Sequence, residues 1–314
     1  MKIEEVASPC SWQVNDAAQP GRKVRINGWD FSGGLGMDSG VEELPNRPLA
    51  LLHHANGMCG AMWAEVALLL RKHYRVFAMD ARGHGDSQAL RLPEDSDWRF
   101  YAADVAEVAK LLIAQFGCEQ IDHGIGSSYG GILTAAAEAD HPGLFTRLTL
   151  LDPPIHPDND ILKAMGLPEQ EESSHRDGLV AQTLKRRDIW PDRATAYDAW
   201  RHKPLFAAWS ETAFQLYLDA GMSDLDSGEV QLKCNPKVEA HIFQTTGKLG
   251  LFDYAPKVTV PVTLVHASTG HFAEEFFSKV ATVFPNAQFR QLEGGHMLPF
   301  EVPDAVADLL LDGS

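Results

Sequence analysis

Short apolar runs alternate along the chain with longer segments whose apolar residues recur every three or four positions, and this alternation limits the fold more than any other feature. PLALLH (Pro48 to His53), RVFAMD (Arg75 to Asp80), RLTLLD (Arg147 to Asp152), PVTLVHA (Pro261 to Ala267) and AQFRQLE (Ala287 to Glu293) are too short for helices and read as strands. Between them, AMWAEVALLLRKH (Ala61 to His73) and WRFYAADVAEVAKLLIAQFG (Trp98 to Gly117) carry helical spacing, the second stopping on a glycine. Strands linked through helices make a parallel sheet with both faces covered, so an α/β fold is expected. The last helix, VPDAVADLLLD, starts with Pro303 in its first turn.

The pattern changes between Asp152 and Pro261, where strand-like runs nearly vanish. WPDRATAYDAW follows a polar stretch, SETAFQLYLDAG has Ser210 as its N-cap and Gly221 as its stop, and NPKVEAHIFQTTG sets Asn235 before Pro236. This reads as a helical cap (155–256) inserted into a core formed by 1–154 and 257–314.

Composition removes several function classes. A net charge of −16 over 314 residues repels nucleic acid and anionic membrane surfaces, and the longest basic run is Lys185-Arg186-Arg187. No stretch has the length and apolarity of a signal peptide or a membrane span, so a cytoplasmic address without membrane attachment is expected. Cys10, Cys59, Cys118 and Cys234 match no zinc or CxxC spacing and read as buried, reduced thiols; neither a metal nor a cofactor is expected.

The stretch IDHGIGSSYGGILTAAAEA (Ile121 to Ala139) runs from an apolar segment through clustered glycines and serines into a helical pattern. A strand that turns directly into a helix leaves unpaired N–H groups at the helix start. A serine at that corner sits beside donors ready for a developing oxyanion. The corner is tight, so the flanking positions must lack Cβ atoms, and Gly126, Ser128 and Gly130 satisfy that as GSSYG. Ser128 is then the exposed serine, with Ser127 packed behind it.

Taken together, four motifs resemble the α/β-hydrolase family: LLHHANGMCGAMW its loop before the oxyanion hole, VFAMDARGHGDS its fourth-strand signature, GSSYGG its nucleophile elbow, and GGHMLPFEVPDAVADLLL its histidine loop and last helix. The resemblance implies a mostly parallel eight-stranded sheet with helices on both faces and the cap inserted after the sixth strand. It also implies that Ser128 is the nucleophile and His296 its base, in the family's chain order of serine, acid, histidine. The acid departs from the commonest pattern, because STGHF after VTLVHA puts Gly270 near the usual aspartate position. Some family members carry the acid directly after the sixth strand, which here gives Asp152; Glu274, Glu275 and Asp253 are the alternatives. The resemblance assigns the oxyanion donors to the backbone N–H groups of Asn56 and Tyr129. His53, His54, His84 and His123, like Asp80, Arg82 and Asp86, read as structural.

The expected reaction is acyl transfer from a small-molecule carboxylic ester or related lactone with a hydrophobic moiety. An acyl thioesterase or C–C bond hydrolase uses the same triad, and a noncatalytic ligand-binding protein or receptor is the alternative outside enzymes. The aromatic-rich insertion contributes Phe206 and Trp209, and the histidine loop Met297, as candidate substrate contacts, although aromatic residues at helical spacing serve equally to pack the cap on the core.

Overall fold

A computed structural model describes residues 1–33, 47–156, 159–167 and 174–312. In chain order the strands are β1 (Ser8–Asn15), β2 (Lys23–Asp30), β3 (Leu49–His53), β4 (Arg75–Met79), β5 (His123–Ser127), β6 (Leu148–Leu151), β7 (Ile189–Trp190), β8 (Met222–Asp224), β9 (Val230–Leu232), β10 (Val262–Ala267) and β11 (Ala287–Leu292). Eight of them form one sheet in the order β1-β2-β4-β3-β5-β6-β10-β11. From β4 across to β11 all pairings are parallel, while β2 runs antiparallel to both β1 and β4.

The apolar runs are continuous because neighbouring residues serve opposite faces. Leu49, Leu51, Phe77, Met79, Leu148, Leu150, Val262 and Leu264 enter the core on one side, under the helices Trp98–Phe116, Tyr129–Asp140 and Glu274–Ala281. Ala50, Leu52, Val76, Ala78, Leu151, Val265 and Ala267 enter the core on the other, with helices Ala64–Leu70 and Pro303–Leu311. A period of two on a sheet covered on both sides leaves no polar positions to interrupt the run. Chain order and spatial order diverge between β3 and β5, and the carboxyl ends of the central strands collect the polar loops at that crevice, as open α/β sheets do.

The helix boundaries follow local chemistry. The Asp97 side chain accepts the Arg99 N–H and Gly117 closes the same helix with φ 65°. Ser210 accepts from Ala213 N–H, and Asn235 accepts from Lys237 N–H ahead of Pro236. Two features differ from the sequence reading. The Ala61–His73 stretch is a 3-10 turn at Gly60–Trp63 followed by a shorter helix, Ala64–Leu70. The β1–β2 hairpin and the small β7-β9-β8 sheet carry no clear strand signal in sequence, the latter because strands of two and three residues show no period.

Four buried histidines make the fold sensitive to mild acid. Burial, reinforced by the His84 imidazole, lowers the His53 pKa to about 3; burial also lowers His84 to about 4 and holds His54 and His123 well below 6.5. An imidazole kept neutral in the folded state contributes stability that is present above pH 6.5 and lost as the pH falls toward its folded pKa. The carboxylates of Asp80 and Asp104, raised by burial to about 6, act in the opposite sense but titrate lower. Near pH 6.5 the unfolded chain therefore holds about one and a half more protons than the folded one, and unfolding free energy is expected to drop by about 2 kcal/mol between pH 7 and pH 6. Urea denaturation at the two pH values checks this; equal or higher stability at pH 6 contradicts it.

Candidate active site

β5 passes into the helix Tyr129–Asp140 through the single residue Ser128, which has φ 52° and ψ −122°. A Cβ at Gly126 would stand 2.4 Å from the Gly130 carbonyl oxygen, and one at Gly130 would stand 2.4 Å from that of His53. Neither position admits a side chain, which is why the strained corner is built from GSSYG. The Ser128 N–H donates to the Leu151 carbonyl at 2.8 Å and ties the corner to β6. Ser127 is fully buried behind it, and Ser128 is itself only 6% exposed.

Asp152 directly follows β6 and also has a left-handed backbone, φ 42°. Its N–H donates to Val265 at 2.8 Å, and its Oδ1 accepts the Ala267 N–H at 3.1 Å, so the neighbouring strand β10 fixes both main chain and carboxylate. The other oxygen, Oδ2, lies 2.6 Å from His296 Nδ1, and His296 Nε2 lies 2.8 Å from Ser128 Oγ. With Nδ1 protonated toward the carboxylate, Nε2 is left to accept the serine proton. The structure thus brings to the histidine two side chains that lie 144 and 168 residues before it. Glu274 and Glu275 are exposed in the first turn of their helix, Glu275 pairing with Lys279, and Asp253 is exposed as well.

Gly270 stands beside this carboxylate. A Cβ there would meet Asp152 Oδ2 at 2.9 Å and the Ala267 carbonyl oxygen at 3.1 Å. The Gly270→Ala substitution has to push the carboxylate off His296, and kcat is expected to fall about tenfold with little change in KM. Steady-state kinetics checks this; an unchanged kcat shows that the carboxylate tolerates the displacement.

The loop after β3 is held from below. His84 Nδ1–H faces the Arg82 carbonyl, leaving Nε2 to accept the Gly57 N–H at 3.1 Å, and Asp80 Oδ1 accepts the Gly60 N–H at 2.6 Å. Met58 N–H donates to the Ala55 carbonyl. Among the described residues, the Asn56 amide is left without an acceptor, as are those of His54, Ala55 and Cys59 in the same loop. The Asn56 side chain donates to the Glu239 carbonyl at 3.0 Å, which joins this loop to helix Pro236–Gln244. Tyr129, the first helical residue after Ser128, keeps an amide with no intrahelical acceptor, and its buried ring packs edge-on against Trp98 and Tyr101.

The sequence matches the profile of the alpha/beta hydrolase family over residues 50–309, most of the chain. The chain belongs to the alpha/beta hydrolase family. It is 27% identical over 115 residues to an (E)-2-((N-methylformamido)methylene)succinate hydrolase of Acinetobacter baylyi, covering 35% of this chain and 39% of that protein. It is 35% identical over 96 residues to a non-heme haloperoxidase of Rhodococcus erythropolis, covering 30% and 32%. These matches span about a third of the length of the curated relatives. Among solved structures, the thioesterase domain from the curacin biosynthetic pathway superposes with a TM-score of 0.73 at 20% identity, covering 98% of this chain and 99% of that one.

In this chain the three candidate substrate contacts lie in different settings. Phe206 and Trp209 are 4% and 2% exposed and face each other edge-on at 4.9 Å. Phe206 stacks on Trp200 within helices 193–220, while Trp209 packs on Phe300 and joins those helices to the core helix Leu298–Glu301, and that packing accounts for their burial. Met297 adjoins His296 and is buried. Among the described residues no group of three or more His, Cys, Asp or Glu is placed to hold a metal ion, and no helix is long and apolar enough to cross a membrane. All four cysteines are free, Cys59 and Cys234 buried, Cys10 and Cys118 half-buried rather than fully so.

Two residues acting on the site escape the sequence reading. Glu239 lays its carboxylate against Gly57 and pairs with Arg186, whose Nη2 donates to the Tyr217 hydroxyl at 2.6 Å. Glu301 contacts the histidine loop. Neither has a sequence signal beyond being an acidic residue in a helix.

Proposed function

We propose that this protein is a serine hydrolase that transfers an acyl group from a carboxylic ester or related lactone to water through Ser128, His296 and Asp152. The observation that carries the reading is the unbroken chain of short contacts from Asp152 Oδ2 through the His296 ring to Ser128 Oγ, with Ser128 on a strained corner at a helix N-terminus. Such a chain has one chemical use that fits all of its parts: it removes the serine proton as Oγ attacks a carbonyl carbon.

In the first half-reaction Oγ bonds to the carbonyl carbon while its proton passes to His296 Nε2. Asp152 stabilises the imidazolium that forms. The carbonyl oxygen becomes an oxyanion held by the Tyr129 amide and by Asn56 in the β3 loop. Each such donor contributes about 3 kcal/mol of transition-state stabilisation in a site closed to water. His296 then gives the proton to the departing alcohol, leaving an ester on Ser128. Water repeats the sequence, its proton going to Nε2 and the acid leaving as Ser128 regains its hydrogen. No cofactor enters these steps, and the cytoplasm is the proposed compartment.

The segment 155–256 is proposed to act as a cap over the crevice, with Met297 offering an apolar wall for a hydrophobic substrate moiety. Amide hydrolysis is a second reading, favoured by the Acinetobacter relative, whose name specifies an N-methylformamido substrate. The deciding experiment is a panel of short and long acyl esters, lactones, thioesters and N-acyl enamine dicarboxylates. Ester or lactone turnover above the others supports the main reading. Turnover of the enamide alone replaces it, and no turnover of any member by pure protein favours a noncatalytic ligand-binding role.

A further inference from the structure

Glu301 lies five residues beyond His296, at the end of the short helix Leu298–Glu301, and takes no part in the proton transfers described above. Its carboxylate nevertheless reaches back over the histidine. Oε2 accepts the Gly295 N–H at 2.6 Å and Oε1 accepts the Met297 N–H at 3.2 Å, so the two amides on either side of His296 converge on one carboxylate. A Cβ at Gly295 would lie 2.7 Å from each of these oxygens, which means the carboxylate rests directly on the loop backbone.

The opposite side of the loop is fixed separately. The Thr269 N–H donates to the Gly294 carbonyl at 2.9 Å, and the Gly294 N–H donates to Ser268 Oγ at 3.2 Å. Before Gly295 the loop therefore hangs on the segment after β10, whereas the N–H groups of Gly295 and Met297 are both held by the Glu301 carboxylate. A histidine on a loop has to hold its ring between two partners at 2.6 and 2.8 Å, and a backbone rotation of a few degrees moves both ring nitrogens at once. Charge-assisted bonds donated to one carboxylate by the two amides flanking the histidine are among the strongest restraints available to such a segment.

We infer that Glu301 is a positioning residue that sets the reach of His296 by clamping the Gly295 and Met297 amides. It touches no reacting atom, and the inference rests on the catalytic role proposed for His296. The ordinary alternative is that Glu301 merely caps the short helix that starts after Met297. The two differ in their consequences: a cap contributes stability alone, whereas a clamp also governs the His296 contacts within the folded protein.

The test uses Glu301→Gln and Glu301→Ala in the full chain. Glutamine keeps the shape but can accept from only one amide while presenting an NH₂ group to the other. Steady-state kinetics on the best ester of the panel is combined with the thermal midpoint and with the downfield proton signal of the His296 Nδ1–H facing Asp152. The clamp predicts a kcat loss of about tenfold for Gln and about thirtyfold or more for Ala, with KM nearly unchanged. It also predicts that the downfield signal broadens or vanishes in both variants at temperatures where they are folded. Full kcat per folded molecule with the signal intact overturns the inference, whatever happens to the thermal midpoint. Because the signal needs no substrate, it tests the clamp even if wild-type protein hydrolyses nothing on the panel, a result that would instead count against the proposed function.

Discussion

Replacing Ser128 by alanine is expected to lower kcat for the best substrate by about 10⁵-fold or more, the scale found when a triad nucleophile is removed. The whole effect is chemical. In the proposed mechanism Ser128 Oγ is the atom that forms the new bond, and among the described residues no other hydroxyl is hydrogen-bonded to His296 Nε2. Stability should barely move, because the strained backbone at φ 52° is held by its own N–H bond to Leu151 and by the flanking glycines, not by the hydroxyl. Kinetics and thermal denaturation of the variant check both halves. A variant retaining more than about a hundredth of the activity places the nucleophile elsewhere.

Asp152→Asn should cost about 10⁴-fold in kcat, with substrate binding little affected. Asparagine has nearly the same shape but turns one oxygen into an NH₂ group. If the amide nitrogen faces His296, it can only donate, so the ring must present an unprotonated Nδ1 to it and carry its proton on Nε2. That is the wrong tautomer for accepting from Ser128. If the amide is flipped, the NH₂ group opposes the Ala267 N–H, a donor against a donor in a fully buried site. Glu274→Gln and Glu275→Gln serve as controls and should leave kcat within about twofold, since exposed groups in a first helical turn contribute little to a remote site. A large loss in either control with none at Asp152 reverses the assignment of the acid.

How much of this was legible in sequence follows from what each feature depends on. The central strands were legible because burial on both faces turns each into an unbroken apolar run, as LALLH and LTLL show. The corner at Ser128 was legible because its glycines answer a steric demand that is local in the chain. The β1–β2 hairpin was not, since SPCSWQVN buries only Trp12 and Val14 and leaves most of its residues polar and outward. β7, β8 and β9 are too short to carry a period at all.

The site divides along the same line. That a carboxylate must orient His296 follows from chemistry, but which one does so depends on the register of β6 against β10, a contact between segments more than a hundred residues apart. Gly270 offered a faint signal: where a side chain is missing, another can come in, and the space it leaves is filled by Asp152 Oδ2. Aromatic residues at helical spacing carry no mark that separates a ligand wall from a packing seam: Phe206 packs on its near neighbour Trp200, whereas Trp209 packs on Phe300, far along the chain. The support of the β3 loop by His84 and Asp80 was legible only as turn chemistry, because its target, the amides of Gly57 and Gly60, lies in another loop.

The most direct measurement of whether Ser128 is an activated nucleophile is covalent labelling of the wild-type protein with a serine-reactive phosphonate, read by peptide mass spectrometry. The account predicts a single adduct on Ser128 that forms rapidly, slows by orders of magnitude in Asp152→Asn, and is absent from Ser128→Ala. Wild-type protein that stays unlabelled, or that carries the adduct on another residue, contradicts it.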